Sequence, residues 1–313
     1  MAETLARRRV RAPQNRARAA PRRIAVTRIA AGLAALCLLP GLAFAQSSAA
    51  LDGRLKKIRD TQTINVAWRT DSSPFSYEDS GKQPAGYTIE LCKRVVGAIE
   101  KQLGLTGLKT NWVPVNVDTR FEGLVKGQTD MECGSTTATL GRMKTVDFSS
   151  IIFVDGTGLI VRQSFQGTGI NDIGGKKIGV IAGTSNERAL NEALKARVLT
   201  ATIVNVKTRE EGLEQVESGT IDAYASDRVL LIGLAAKAKD PKNLALLADA
   251  LSYEPYAITL PRGDWQLRLA VNTALAQIYR SGAIGEIYGR WFGAFGKPGA
   301  LAEATFLFGA IPE

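Results

Sequence analysis

Apolar runs of strand length alternate along the chain with stretches of helical periodicity. Ile64–Trp68 reads as a first strand. Ile89, Cys92, Val95, Val96, Ile99 and Leu103 recur at spacings of three and four, which places them on one face of a helix. Leu108–Val115 reads as the next strand, and Asp118 stands where it would cap a short helix carrying Phe121, Leu124 and Val125. Ile178–Ile181, Thr202–Val206 and Ile221–Ala225 are further strands between helical stretches. This alternation predicts an α/β architecture with largely parallel sheets.

The pattern is used twice. EGLVKGQTDMECGS (122–135) resembles EGLEQVESGTIDAYAS (211–226). Each runs from an amphipathic helix through Gly-x-x-Asp, Gly127 to Asp130 and Gly219 to Asp222, into a short strand ending at a serine. Two copies about 90 residues apart predict two similar lobes. Ligands of open α/β sheets sit beyond the carboxyl ends of the strands, so Ser135 and Ser226 would face one site from opposite sides. The segments 151–154 and 158–161, flanking Asp155-Gly156-Thr157, would cross between lobes. Tyr253–Ile258 would carry the chain back, and helices over 265–279 and 284–291 would complete lobe one. Two crossing strands make a hinge. The boundaries expected from this are 46–157 and 255–313 for lobe one with the C-terminal tail, and 158–254 for lobe two.

Charge changes the picture mainly at the N-terminus. The formal net charge is +10, but residues 1–45 hold nine arginines and a single acid, Glu3, so the remainder carries only +2. The basic stretch leads into IAAGLAALCLLPGLAFA, which ends in the small-x-small site Ala43-Phe44-Ala45. The segment 1–45 therefore reads as a secretory signal cleaved after Ala45, and the run is short for a membrane span. Cys37 lacks the small preceding residue of a lipobox, and the neighbours of Arg22-Arg23 fit twin-arginine export poorly. Export puts the rest in an oxidising compartment with two cysteines, Cys92 and Cys133, which are either a disulfide or two small buried thiols. A charge of +2 disfavours a nucleic-acid partner.

The chain has no histidine. That removes the usual general base, the Ser-His and Cys-His nucleophile pairs and the common zinc sites. No phosphate-loop or dinucleotide glycine pattern opens a helix. No cofactor and no metal are expected. The sequence offers anion chemistry instead. In MECGSTTATLGR (131–142), Gly134 permits close backbone approach, and Ser135, Thr136 and Thr137 bring hydroxyl groups. Thr139 would cap a helix carrying Arg142, whose guanidinium can grip a carboxylate. Ordinary turn chemistry explains the same hydroxyls equally well. Ile181–Asn186, with Thr184, repeats the logic in lobe two. Asp227 would accept from an ammonium group or, more plainly, cap the following helix. Arg69 ends the first strand, and Arg120 sits in a first helical turn, where the dipole disfavours a cation. Phe75 and Tyr77 would give an apolar wall, or Phe75 belongs to the core.

VAWRTDSSPFSYED, GYTIELCKRVV, TDMECGSTTATLGRMKTVDFS, FVDGTGLIV and IAGTSNE together resemble extracytoplasmic solute-binding proteins of polar amino acid ABC importers, family 3, and most of all the glutamate/aspartate-binding group. The likeness covers nearly all of residues 52–295. It implies a two-lobed periplasmic binding fold (type II), with the ligand cleft between lobes joined by a two-strand hinge. It implies a monomeric, periplasmic protein that binds an amino acid and delivers it to a membrane permease with an ATPase. By the family's pattern the α-carboxylate would meet Ser135, Thr137, Arg142 and Thr184. The α-ammonium would meet Asp227, and a side-chain carboxylate would meet Arg69 and Arg120. A histidine of that group is replaced here at Arg209, which would take its place or point to solvent, and Val117 stands where relatives carry a small polar residue. Glutamine or asparagine therefore stays open beside glutamate and aspartate. The rival is an enzyme on the same scaffold, a cyclohexadienyl/prephenate-type dehydratase, and a receptor ectodomain would need a membrane span that residues 46–313 do not offer.

Overall fold

The computed structural model describes residues 50–312, so the expected signal segment, its cleavage point and Cys37 lie outside the described residues. Helix α1 (Gly53–Thr61) leads into β1 (Thr63–Arg69) and a small antiparallel sheet of β2 (Asp71–Ser72), β3 (Ser76–Glu78) and β4 (Pro84–Ala85). Next come α2 (Tyr87–Gln102), β5 (Lys109–Val115), α3 (Glu122–Val125), β6 (Met131–Cys133) and β7 (Val146–Asp155). The chain continues through β8 (Thr157–Arg162), β9 (Lys177–Val180), α4 (Ser185–Ala196), β10 (Thr202–Asn205), α5 (Arg209–Ser218), β11 (Ala223–Asp227), α6 (Arg228–Ala235) and β12 (Leu244–Leu246). It ends with β13 (Glu254–Pro261), α7 (Trp265–Arg280), α8 (Ala283–Phe292) and α9 (Ala300–Gly309).

One sheet has the order β5-β1-β6-β13-β7 and the other β10-β9-β11-β8-β12. In both, the first three strands are parallel and the last two join antiparallel. The repeated Gly-x-x-Asp has the same task in each. Asp130 accepts from Asn65 N at 2.8 Å and Asp222 from Lys177 N at 2.8 Å, pinning the start of the neighbouring strand. The lobes are thus two copies of one α/β unit, in a two-lobed binding-protein fold.

The apolar face of α2 packs with α7 and α8 on the first sheet, around Phe75, which is fully buried 4.8 Å from Phe153 and 5.0 Å from Tyr256. Phe75 is core and walls no cleft. Cys92 on α2 and Cys133 at the end of β6 are joined by a disulfide, with Cα atoms 6.4 Å apart. It ties the helix to the strand directly beneath the hydroxyl segment.

The chain crosses between sheets at Gly156, from β7 to β8, and returns from β12 to β13. The two crossings touch: a Cβ at position 156 would lie 2.8 Å from Ser252 O, which only glycine avoids. The lobes are closed on each other, with Ser73 O, in the turn between β2 and β3, against Gly233 of α6.

Two local expectations need correction. Asp118 is exposed and caps nothing; Asn116 Oδ1 accepts from Asp118 N and Thr119 N, and the helix begins only at Glu122. Thr139 Oγ1 does accept from Arg142 N at 3.2 Å, but the next element is a single 3-10 turn, Arg142–Lys144, and no α-helix. The preceding residues are held extended by β13, which leaves no room for a helical start.

Candidate functional site

After β6 the chain runs beside β13. Ala257 N donates to Thr136 O at 3.1 Å and Ala138 N to Pro255 O at 2.8 Å. Gly134 allows this: a Cβ there would fall 2.2 Å from Glu132 Oε1 and 3.0 Å from Arg69 Cγ. The hydroxyls divide their tasks. Thr137 Oγ1 donates to Glu254 at 2.7 Å and stands 3.3 Å from Ser185 Oγ of the other lobe. Thr136 Oγ1 accepts from Arg120 Nη1 at 3.3 Å. Ser135 Oγ is buried with no hydrogen-bond partner among the described residues. Arg142 Nη1 donates to the Thr137 carbonyl at 2.8 Å, so its guanidinium braces the segment from below.

Three further guanidinium groups are almost wholly buried: Arg69 is 1% exposed, Arg120 5% and Arg209 6%. Arg209 therefore does not point to solvent. Its Nη1 and the Arg69 Nη2 both donate to Asp71 Oδ2, each at 2.7 Å. Burial alone would raise the Asp71 pKa, but Arg209 and Arg69 outweigh it and hold the carboxyl at about 2. Among the described residues Arg120 has no carboxylate hydrogen-bonded to it, and it lies over the Phe121 ring at 4.8 Å. Burial, then the Arg142 charge, pull its pKa down to about 9. The Nε atoms of Arg69, Arg120 and Arg209 are buried and unpartnered among the described residues. Buried donors left so are costly unless an acceptor arrives.

Asp227 occupies the N-cap position of α6 yet makes no capping bond; its Oδ1 accepts from Asn186 Nδ2 at 3.1 Å. The cap comes from the hinge, where Asp155 Oδ2 accepts from Val229 N at 3.0 Å. Asp227 is thereby left to the cleft. Its pKa is raised by burial first and then by the Glu254 charge, and that of Asp155 by burial and then by Asp227. Glu254, where the chain re-enters lobe one, also takes Ser252 Oγ at 2.6 Å and Thr157 Oγ1 at 3.3 Å. It couples both crossing strands to the hydroxyl segment.

The sequence profile of the bacterial extracellular solute-binding proteins, family 3, matches residues 64–294. The chain belongs to this family. It is 37% identical to the L-glutamate/L-aspartate-binding protein of Pseudomonas aeruginosa over 77% of this chain and 80% of that one. It is 32% identical to the glutamate/aspartate import solute-binding protein of Escherichia coli K12, over 84% and 87% of the two chains. Among solved structures it resembles an ancestral amino-acid-binding protein described as a precursor of cyclohexadienyl dehydratase, with a TM-score of 0.67 and 28% identity over 77% of this chain and all of that one.

In this family 3 chain Arg69 and Arg209 meet at Asp71, Arg120 lies against Thr136 beside the unpartnered Ser135 hydroxyl, Arg142 holds the Thr137 carbonyl, and Asp227 lies against Asn186. Thr184 is different: its hydroxyl donates to Ile181 O at 2.6 Å and accepts from Glu187 N at 3.2 Å, capping α4. Its proton goes to its own lobe; Ser185 is the residue that reaches across, 3.3 Å from Thr137 Oγ1, while Asn186 donates within its lobe to Thr157 and Asp227. Sequence reasoning missed those two, together with Asp71, Asp155 and Glu254. Asp71 follows Arg69 by two positions and Glu254 lies in the expected return segment, so charge in a crossing segment was the available signal. A cavity of about 980 Å³ opens between the lobes beside Asp71, but of the expected site residues only Arg69 lines it. Arg69 and Asp71, two members of the bridge, lie in its wall.

Proposed function

We propose that this protein captures an acidic amino acid, L-glutamate or L-aspartate, between its lobes outside the cytoplasm and presents it to a permease driven by an ATPase. The observation that carries the reading is the set of buried, unpartnered donors, Arg120 Nε and Ser135 Oγ foremost, on the lobe opposite a buried Asp227 with no capping bond. Donors of this kind suit carboxylates, and a buried carboxylate suits an ammonium group. The α-carboxylate would take Ser135, the Thr137 backbone and Arg142; the ammonium, Asp227; the side chain, Arg120 and its neighbours. The named functions of the two curated relatives agree.

The dehydratase reading draws on the ancestral neighbour and on the raised pKa values of Asp155 and Asp227, since a protonated carboxyl can act as a general acid. Both Asp155 oxygens, however, already accept backbone N–H groups, from Gly156 at 2.8 Å and Val229 at 3.0 Å. We therefore favour the binder. A thermal-shift panel of the common amino acids on protein beginning at Gln46, followed by calorimetry, tests this. Glutamate and aspartate should stabilise most, by about 2.7 kcal/mol at a hundredfold excess over Kd, and Arg142→Ala should abolish the effect. Stabilisation by neutral or basic amino acids alone would overturn the proposal.

A further inference from the structure

The bridge from Arg69 through Asp71 to Arg209 places an anion of the protein's own inside the candidate site. Asp71 Oδ2 receives one guanidinium from each lobe, at 2.7 Å both times. Arg120 has only the Thr136 hydroxyl at 3.3 Å among the described residues, and its Nε is unpartnered. A ligand's distal carboxylate thus finds Arg120 free. It can approach Arg69 and Arg209 only on the edges Asp71 leaves open, the buried and unpartnered Nε atoms among them. Two carboxylates sharing the same guanidinium groups repel one another. A side-chain amide feels no such repulsion, and its carbonyl still accepts from Arg120.

We infer that Asp71 is a specificity-determining residue, whose carboxylate weakens the preference for an acidic side chain over the corresponding amide. The inference rests on the ligand being an acidic amino acid or its amide, as proposed above. Arg209 alone would make the pocket strongly selective for dianions; Asp71 offsets that charge. A residue that merely clamped the lobes shut would act differently, since its loss would weaken every ligand by one common factor.

Calorimetry on the full folded protein with L-glutamate and L-glutamine separates the two, read as the ratio of the glutamine Kd to the glutamate Kd. Asp71→Asn keeps the shape and removes the charge, and should raise this ratio about tenfold, given the Coulomb energy of charges a few ångströms apart. Asp71→Glu keeps the ion pairs and moves the carboxylate toward the ligand, and should lower the ratio by a similar factor. The second variant carries the test should Asp71→Asn, with two buried guanidinium groups lacking a carboxylate, fail to fold. Equal shifts for both ligands in either folded variant overturn the inference. Wild-type protein that binds no acidic amino acid and no amide overturns instead the function on which it rests, before any variant is made.

Discussion

Asp227→Asn should make the empty protein more stable and the ligand-binding protein nearly inert. Asp227 is 4% exposed, accepts a side-chain hydrogen bond from Asn186 at 3.1 Å, and makes no capping bond. For an ionised carboxylate so placed, burial and the Glu254 charge outweigh the help of Asn186, Arg209 and Tyr256. A buried polar group left unsatisfied costs about 1–3 kcal/mol, and more when charged. Asparagine keeps the Asn186 contact and removes the charge. The ligand-free variant should therefore melt about 3–9 °C higher at neutral pH for a chain of this size. Removing one partner of a buried ion pair costs about 3–5 kcal/mol, so glutamate affinity should fall by about two to four orders of magnitude. Differential scanning calorimetry of the empty protein and titration calorimetry with L-glutamate read the two effects. A variant that melts lower than wild type, or that binds glutamate within threefold, would refute the reasoning.

The same charge gives a pH dependence of fixed sign. The folded pKa of Asp227 is raised above the ordinary 3.8 to about 6, by burial and by Glu254. The empty folded state therefore holds this proton where the unfolded chain has lost it. The contribution of Asp227 to stability is therefore greatest at acid pH and falls as pH rises from about 3.8 through the raised folded value. An ammonium group favours the ionised form, so binding expels a proton across that window and weakens as pH falls. The heat of binding should then depend on the ionisation enthalpy of the buffer near pH 6, and equal heats in buffers of different ionisation enthalpy would refute the assignment.

Thr184→Ala should cost about 1 kcal/mol through loss of the α4 cap and leave glutamate affinity within about threefold; a tenfold loss would return the hydroxyl to the ligand. Replacing both Cys92 and Cys133 by serine opens a loop spanning 41 positions, worth about 4 kcal/mol of stability by loop-closure entropy. Urea melts should show that loss while glutamate affinity stays unchanged, because both sulfurs are buried beneath the segment that faces the cleft.

The features legible in the sequence were those that repeat or stay local. The alternation that marks β1, β5 and β9, and the duplicated Gly-x-x-Asp ahead of β6 and β11, are short-range patterns enforced by burial of one face. Asp118 lost its expected cap to a neighbour, Asn116, two positions before it, whereas the helix expected after Thr139 was overruled by a distant strand. Residues 134–138 stay extended because β13, about 120 positions later, takes their backbone groups, and no local propensity of Thr139 competes with that. Thr184 and Asp227 look alike in sequence, each opening a helix after a strand. Thr184 caps its own helix, whereas Asp155 from the hinge relieves Asp227 of that duty. The partition of tasks is decided by which neighbour supplies the cap, and nothing in the two local sequences encodes it.

The electrostatic division between lobes explains why Asp71 belongs with Arg209. Arg69, Arg120 and Arg142 lie on the lobe of the first sheet and Asp227 on the lobe of the second. Neither half alone offers an amino acid both of its partners, so ligand affinity should appear only on closure, and binding should favour the closed form by that difference. Arg209 breaks the pattern by putting a cation on the second lobe, near Asp227. Unbalanced, it would compete with the ligand's ammonium for that carboxylate. Asp71 reaches from the first lobe and engages Arg209 at 2.7 Å. The exchange restores the division of charge and leaves Asp227 to the ammonium. It also makes the lobes attract one another at a point that needs no ligand. Substituting Arg209 should therefore loosen closure, which weakens binding, and remove a competing cation from Asp227, which strengthens it, so Arg209 and Asp71 must be varied separately and together.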